Sequence, residues 1–196
     1  TGSAKGNTTA GEQLLLAAMD EENDSIRSAY YEQSKEYLRK AIKIHPKYIA
    51  PRLDLGLVYE HYDKNYGKAV DMYISTLQLN PNYEKAFTNL RYMFERRVDS
   101  IDFQIKTLDR VHEINPKRYY INYTLGSLYG AYKNNLEKAI FYLKKATRAN
   151  PRGIDALTDL GVAYGMTKQY KNAVRMLERA VQLNTKDPLV YSNLAA

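Results

Sequence analysis

Residues 150–183 read NPRGIDALTDLGVAYGMTKQYKNAVRMLERAVQL, and the order of Pro, Leu-Gly, Tyr and Ala in this stretch returns upstream at a fixed interval. Four prolines stand 35 residues apart, and the last three of them follow an Asn. They are Pro46, Pro81, Pro116 and Pro151. An internal period of roughly 20 to 50 residues is typical of a solenoid or another repeat architecture. The repeat therefore governs how the rest of the chain is interpreted.

Other positions keep the same phase as the prolines. Leu-Gly or a counterpart recurs at 55–56, 90–91, 125–126, 160–161 and 194–195, and Tyr59, Tyr129 and Tyr164 each follow a Gly by three residues. Leu and Tyr at this spacing form one apolar face of a helix. Small residues such as Gly56 and Ala69 let two antiparallel helices approach, and Pro ends the second helix because it donates no backbone hydrogen bond. Each interval is therefore predicted to be one helical hairpin.

This pattern resembles the tetratricopeptide-repeat family, whose unit carries Leu-Gly, Tyr, two Ala and a closing Pro in this order. The resemblance implies an all-α fold, an α-α superhelix of about five helix-turn-helix repeats plus a partial sixth. Predicted helix pairs are 49–63 with 66–80, 84–97 with 101–114, 119–133 with 136–149, and 154–167 with 170–183. We expect a single solenoid domain over 1–196, with an irregular repeat at 4–48, regular ones at 49–83, 84–118, 119–153 and 154–187, and a partial one at 188–196.

Two units depart from the pattern. The third has Arg91 in place of Gly and Gln104 in place of Ala, so its two helices are expected to lie further apart. In the first unit Ala10-Gly11 matches the opening Leu-Gly, while the stretch that includes the acidic run 20–24 is predicted to hold an extra turn or loop of about eleven residues.

The two ends of the sequence also carry expectations. A solenoid end normally needs a polar capping helix, and the last unit stops partway through its first helix, so we expect a fragment of a longer protein. Leu189, Val190 and Leu194 would then be exposed, and a second copy of the chain could cover them. Residues 3–11 resemble the entry into the repeat tail of multi-pass membrane protein O-mannosyltransferases.

Composition narrows the function classes. The net charge is +7 but the basic residues are spread along the chain, which favours solvated helix faces over a nucleic-acid footprint. No apolar run approaches the ~20 residues of a membrane span, and the absence of Cys excludes disulfides and thiolate sites. The compartment stays open between the cytoplasm and the extracytoplasmic part of a larger membrane protein.

No catalytic pattern is visible in the sequence. His45, His61 and His112 lie near predicted helix ends, where cap, surface or binding roles are expected of them. There is no phosphate-binding Gly-rich loop. The sequence therefore predicts no enzyme activity, no cofactor and no metal site.

A ladder of short polar residues precedes each Leu-Gly position. Its members are Asp54, Asn89, Thr124, Asp159 and Asn193. The family resemblance implies that first helices line a concave groove, so the ladder is predicted to follow the groove floor. It resembles the asparagine ladder of the repeat superhelix in O-linked N-acetylglucosamine transferases, which holds extended peptides by their backbones. Here two of the five are Asp, which favours a ligand of positive or N–H-rich character; the alternative, that the ladder only links neighbouring helices, stays open.

Residues that flank the ladder are further candidate contacts. They are Tyr92, Arg96, Tyr120 and Tyr123, with Ser127, Asp155, Val162 and Met166 at neighbouring positions. Tyr offers broad contact area at low entropic cost, which suits peptide recognition, although Tyr120 could equally pack between repeats.

Three functions are compatible with these features. The leading one is a non-catalytic scaffold that binds an extended peptide or partner protein in the groove. The alternative is the acceptor-recognition repeat tail of a larger membrane-bound glycosyltransferase. Electrostatic binding of nucleic acid or an anionic surface depends on the +7 charge alone.

Overall fold

The structure, a computed structural model, describes residues 2–96 and 100–183. Within these ranges the chain forms ten helices and no strand: α1 Ala4–Asp20, α2 Asp24–Ile44, α3 Ala50–His61, α4 Tyr66–Leu79, α5 Glu84–Arg96, α6 Ile101–Ile114, α7 Tyr119–Ala131, α8 Leu136–Ala149, α9 Ile154–Met166 and α10 Tyr170–Leu183. The bounds of α3 to α10 lie within two residues of the predicted ones. The predicted all-α fold of paired helices is confirmed.

The chain divides into two compact units, Thr1–Asp99 and Ser100–Ala196. The N-terminal unit contains α1 to α5 and the C-terminal unit α6 to α10. The division falls within the third hairpin, between the helices that carry Arg91 and Gln104. The wider spacing of that pair and the single continuous domain stay predictions.

Within each unit consecutive helices pack as hairpins, and first helices of successive hairpins also touch. α1 contacts α3 in the N-terminal unit, and α7 contacts α9 in the C-terminal unit. Each unit therefore has one face on which first helices lie side by side. The ladder residues Asp54, Thr124 and Asp159 belong to these helices.

A glycine of the first helix lies directly against a large side chain of the second helix in four hairpins. The pairs are Gly11 with Leu38, Gly56 with Tyr73, Gly126 with Leu143, and Gly161 with Leu177. A Cβ atom at Gly56 would lie 2.5 Å from Cε1 of Tyr73, and one at Gly126 would lie 2.6 Å from Cγ of Leu143. Neither distance is compatible with van der Waals packing. The predicted role of the small residues in close helix approach is confirmed.

Asparagines lie at both ends of the second helices α4 and α8. Asn65 Oδ1 accepts from the backbone N–H of Lys68 at 3.0 Å, and Asn135 does the same for Lys138. At the other end the N–H of Asn80 donates to the carbonyl of Thr76, and Pro81, which follows, cannot continue the helix. The Asn-Pro boundary predicted from the sequence is therefore confirmed.

The first hairpin differs from the prediction. The expected extra loop around 20–24 is wrong, because only residues 21–23 are non-helical and α1 and α2 extend to 17 and 21 residues. Asn23 Oδ1 accepts from the N–H groups of Ser25 and Ile26 and so caps α2. The additional residues therefore form helical turns.

The middle of α2 contacts the turn between α3 and α4. The Lys35 ammonium, almost fully buried, lies 2.8 Å from Asp63 Oδ1 and 2.7 Å from Glu32 Oε1. The ring of Tyr31 stacks on that of Tyr62 with centroids 4.2 Å apart. A buried ammonium needs such partners, so the extended hairpin is linked to the regular repeats by charge as well as by packing.

Candidate functional site

The C-terminal unit contains a cavity between the first helices α7 and α9, closed at the back by α8. Its volume is about 510 Å³. Small residues line its walls, namely Gly126, Gly130, Ala131, Ala139 and Ala163, while Leu143 lies at its base. The apolar side chains of Val162 and Met166 also line it and are 37% and 59% exposed.

One side of this cavity is polar. The Ser127 hydroxyl donates to Asp159 Oδ2 at 2.7 Å, so a residue of α7 is bonded to the ladder residue of α9. Burial raises the pKa of Asp159, while the hydrogen bond from Ser127 opposes that shift and the charge of Asp155 adds to it. Asp159 is therefore a partly dehydrated carboxylate that gains from any further donor.

Tyrosines extend the site along α7. Tyr123 lies beside Ser127, and its pKa is raised by burial and by the negative charge of Asp159. The ring of Tyr119 is stacked on that of Tyr123, with centroids 5.9 Å apart and planes 3° from parallel. Tyr123, Ser127 and Asp159 are thus brought together as the sequence placed them. Tyr119 was not among the predicted contacts, although it lies one helical turn before Tyr123.

Thr124 and Tyr120 are both half-buried on α7. Their contact with a ligand stays a prediction, as does the alternative that Tyr120 packs between repeats. Asn193, the last member of the ladder, lies outside the described residues, and so do the three apolar side chains proposed for self-association.

The ladder residues of the N-terminal unit have different surroundings. Asp54 of α3 is paired with Glu12 of α1, and burial followed by the charge of Glu12 raises the pKa of Asp54 to about 7, against the opposing effect of Lys85. The buried Oδ2 atom of Asp54 accepts no hydrogen bond. This carboxyl group therefore titrates near neutral pH.

Asn89 is turned toward the hairpin in front of it. Tyr73 is completely buried and its hydroxyl donates to Glu60 Oε2 at 2.8 Å, while the side chain of Asn89 bonds to the same hydroxyl. Burial, and then the charge of Glu60, raises the pKa of Tyr73. The bonds of Asn89 to Tyr73 and of Asp159 to Ser127 both link neighbouring helices, as in the alternative for the ladder, and ligand contact at either residue stays a prediction.

Tyr92 and Arg96 lie on α5 in the N-terminal unit. The guanidinium groups of Arg91 and Arg96 lie 4.9 Å and 5.3 Å from the centre of the Tyr92 ring, which is 43% exposed. Arg91 also lies 3.6 Å from Glu95. A role for Tyr92 and Arg96 in peptide contact stays a prediction.

In residues 2–96 and 100–183 no three His, Asp or Glu side chains are grouped so that they could hold a metal ion. None of the helices described has both the length and the apolar character that crossing a membrane requires.

Tetratricopeptide-repeat family models match residues 131–196 and 26–48. Among curated proteins, the chain is 25% identical over 126 residues to anaphase-promoting complex subunit 3 of Schizosaccharomyces pombe, covering 64% of this chain and 19% of that protein. It is 23% identical over 194 residues to superkiller protein 3 of the same yeast, covering 88% and 14%. The chain thus spans less than a fifth of the length of these relatives.

Solved structures show the same fold. YrrB, described as a TPR protein with an unusual peptide-binding site, matches with a TM-score of 0.53 and 19% identity over 95% of this chain and 100% of its own. MamA matches with a TM-score of 0.52 and 22% identity over 81% of this chain and 91% of its own. The predicted repeat family is supported by these matches, whereas the resemblance to O-mannosyltransferase tails is not shown by them.

Proposed function

We propose that this tetratricopeptide-repeat chain is a non-catalytic interaction scaffold, and that it binds an extended segment of a partner protein across α7 and α9. The observation that carries the proposal is the cavity of the C-terminal unit, with Ser127 and Asp159 on one side and small apolar walls on the other. A concave apolar site with a few converging polar groups is the usual form of a ligand pocket.

The state of Asp159 favours a peptide as the ligand. Its carboxylate is half-buried and has a hydrogen bond from Ser127, while a carboxylate can accept several. A backbone N–H or side-chain donor of a bound segment would restore part of the hydration that burial removes. Such a bond to a charged group contributes about 1.5–3 kcal/mol.

The similar proteins agree with this role. YrrB is described as having a peptide-binding site, and anaphase-promoting complex subunit 3 is by its name part of a complex. Carried over to this chain, both favour the binding of a protein or peptide.

The proposal can be tested by filling the cavity. Panning the full chain against a random peptide library should enrich peptides whose affinity falls at least about tenfold in Gly130→Leu, because the added side chain occupies the space that the peptide uses. Gly165→Leu is the matched control, since Gly165 holds the same repeat position on α9 and a Cβ there meets nothing within 4 Å. Peptides that bind Gly130→Leu as well as the wild-type chain, or no enrichment at all, would contradict the proposal.

A further inference from the structure

We infer that the cavity of the C-terminal unit receives a tyrosine side chain of the bound segment, with the phenol hydroxyl donating to Asp159. This inference rests on the proposed function and names the chemistry of its ligand. The reason is that the N-terminal unit contains a tyrosine of its own in the equivalent place.

The two regions correspond at a constant offset of two repeats. Adding 70 to the residue number relates Gly56 to Gly126, Glu60 to Gly130, Tyr73 to Leu143 and Asn89 to Asp159. Both glycines lie against the residue that follows them by 17 positions, Tyr73 in one region and Leu143 in the other. The close approach of the glycine to the second helix is therefore shared by the two regions, while the side chains around it differ.

In the N-terminal unit this space is full. Tyr73 is 0% exposed and Glu60 is 4% exposed, and the phenol hydroxyl is held between Glu60 and Asn89. This position therefore accommodates a phenol ring behind the first helices α3 and α5. A polar group of α5 lies at the phenol hydroxyl.

In the C-terminal unit the same space is empty. Leu143 is shorter than Tyr73 by most of a phenol, and Gly130 lacks the whole side chain of Glu60. The cavity of about 510 Å³ lies where these groups would be, and both Gly130 and Leu143 line it. An aromatic side chain supplied from outside would restore the packing that Tyr73 provides internally.

Asp159 determines the polar end of the occupant. It stands in the place of Asn89, whose amide can donate, but a carboxylate accepts only. The occupant must therefore bring a donor, which a phenol does and a phenylalanine ring does not. A phosphorylated tyrosine is disfavoured, because Asp159 and the nearby Asp155 would repel its charge.

The inference can be tested with p-cresol, which is the tyrosine side chain as a free molecule. In titrations of the full chain followed by methyl NMR, p-cresol should shift the signals of Leu143 and Ala163 and bind about tenfold more tightly than toluene, which has the same shape without the hydroxyl. Binding of p-tolyl phosphate should be lost. Equal affinity for cresol and toluene, or cresol shifts elsewhere in the chain, would overturn the inference.

Two variants identify the groups responsible. Leu143→Tyr should fill the cavity with an internal phenol and abolish cresol binding, and Asp159→Ala should remove the preference for cresol over toluene without removing toluene binding. A preference that persists in Asp159→Ala would overturn the assignment of the acceptor, and that result holds even if Leu143→Tyr fails to fold. If library peptides depend on Gly130 but cresol does not bind, the inference fails and the proposed function stands; if no peptide is enriched, the proposed function fails first.

Discussion

Two parts of the chain hold equivalent repeat positions, the hairpin α3–α4 with α5 and the hairpin α7–α8 with α9. The interior of the first copy is filled, whereas the second copy contains a cavity. The first contains Tyr73 bonded to Glu60 and completes its own packing, whereas the second has Leu143 and Gly130 and keeps a cavity beside Asp159. Tyr73 against Leu143 and Glu60 against Gly130 are thus two of the differences between a closed structural repeat and an open one. The ladder residues also have different surroundings, because the Asn89 side chain bonds to the buried Tyr73 hydroxyl, whereas Asp159 accepts a hydrogen bond from Ser127 and lines the cavity.

The largest expected effect comes from opening the closed copy. Tyr73→Ala should lower the free energy of unfolding by about 4 kcal/mol, because a buried aromatic ring is lost and Glu60 loses its donor. Leu143→Ala is the matched variant, with a loss nearer about 2 kcal/mol because the cavity beside it already exists. Urea denaturation followed by circular dichroism measures both. Equal losses would mean that the two interiors are filled alike.

Substitution by Ala at Glu60 and at its counterpart Gly130 should change the free energy of unfolding in opposite directions. Glu60→Ala removes the acceptor of the Tyr73 hydroxyl and should cost about 1–3 kcal/mol. Gly130→Ala should stabilise by about 0.5–1 kcal/mol through helix propensity, since a Cβ there would lie an ordinary 3.5 Å from the Cβ of Ala139. Thermal unfolding of the two variants gives the signs directly, and a loss of stability in both would break the comparison.

The closed copy also predicts a pH effect. The pKa of Asp54 is raised from 3.8 to about 7 in the folded chain, so the stability it contributes is fully present below 3.8 and is lost as the pH rises through about 7. Asp54→Asn removes this titration. The free energy of unfolding of the variant should therefore change less between pH 5 and pH 8 than that of the wild-type chain. Asp159→Asn is the control, and it should alter the pH dependence of stability in the same direction by a smaller amount. An unchanged profile in Asp54→Asn would show that this carboxyl group does not have the raised pKa.

The smallest expected effect is a pH dependence of stability in the C-terminal unit, opposite in direction to that of Asp54. Nε2 of His112 lies 2.9 Å from Nζ of Lys145, and burial and then the charge of Lys145 lower the pKa of His112, against Asp109 and Glu113. Its contribution to stability is present above the ordinary pKa of 6.5 and is lost as the pH falls below it. His112→Gln should lose less stability between pH 7 and pH 5 than the wild-type chain in the same urea experiment. A steeper loss in the variant would show that the imidazole gains protons on folding.

Helix positions could be predicted from the sequence because their signals are local. Asn-Pro marks the ends of α4, α6 and α8, and glycines such as Gly56 and Gly126 mark close approaches of two helices. The bounds of α3 to α10 follow within two residues. The acidic run at 20–24 led to a wrong prediction because charged residues are typical of loops. Asn23 instead caps α2, so the run lies at the junction of two long helices.

The site was predictable only in part. Register alone placed Tyr123, Ser127 and Asp159 on the same surface, but it could not show that Asn89 bonds to Tyr73, because that depends on a side chain of the preceding hairpin. The cavity depends on Gly130 and Leu143 together, which no single motif records. Comparison of the repeats at an offset of 70 residues is the signal that could have found it.

The measurement that tests the proposed scaffold role most directly is NMR mapping of a library-selected peptide on the isotopically labelled full chain. The proposed function predicts that peptide addition shifts the signals of α7 and α9, with Ser127, Asp159 and Met166 among the largest changes, and leaves Tyr73 and Glu60 unmoved. Shifts confined to α3 and α4 of the closed copy, with the cavity residues unaffected, would contradict it.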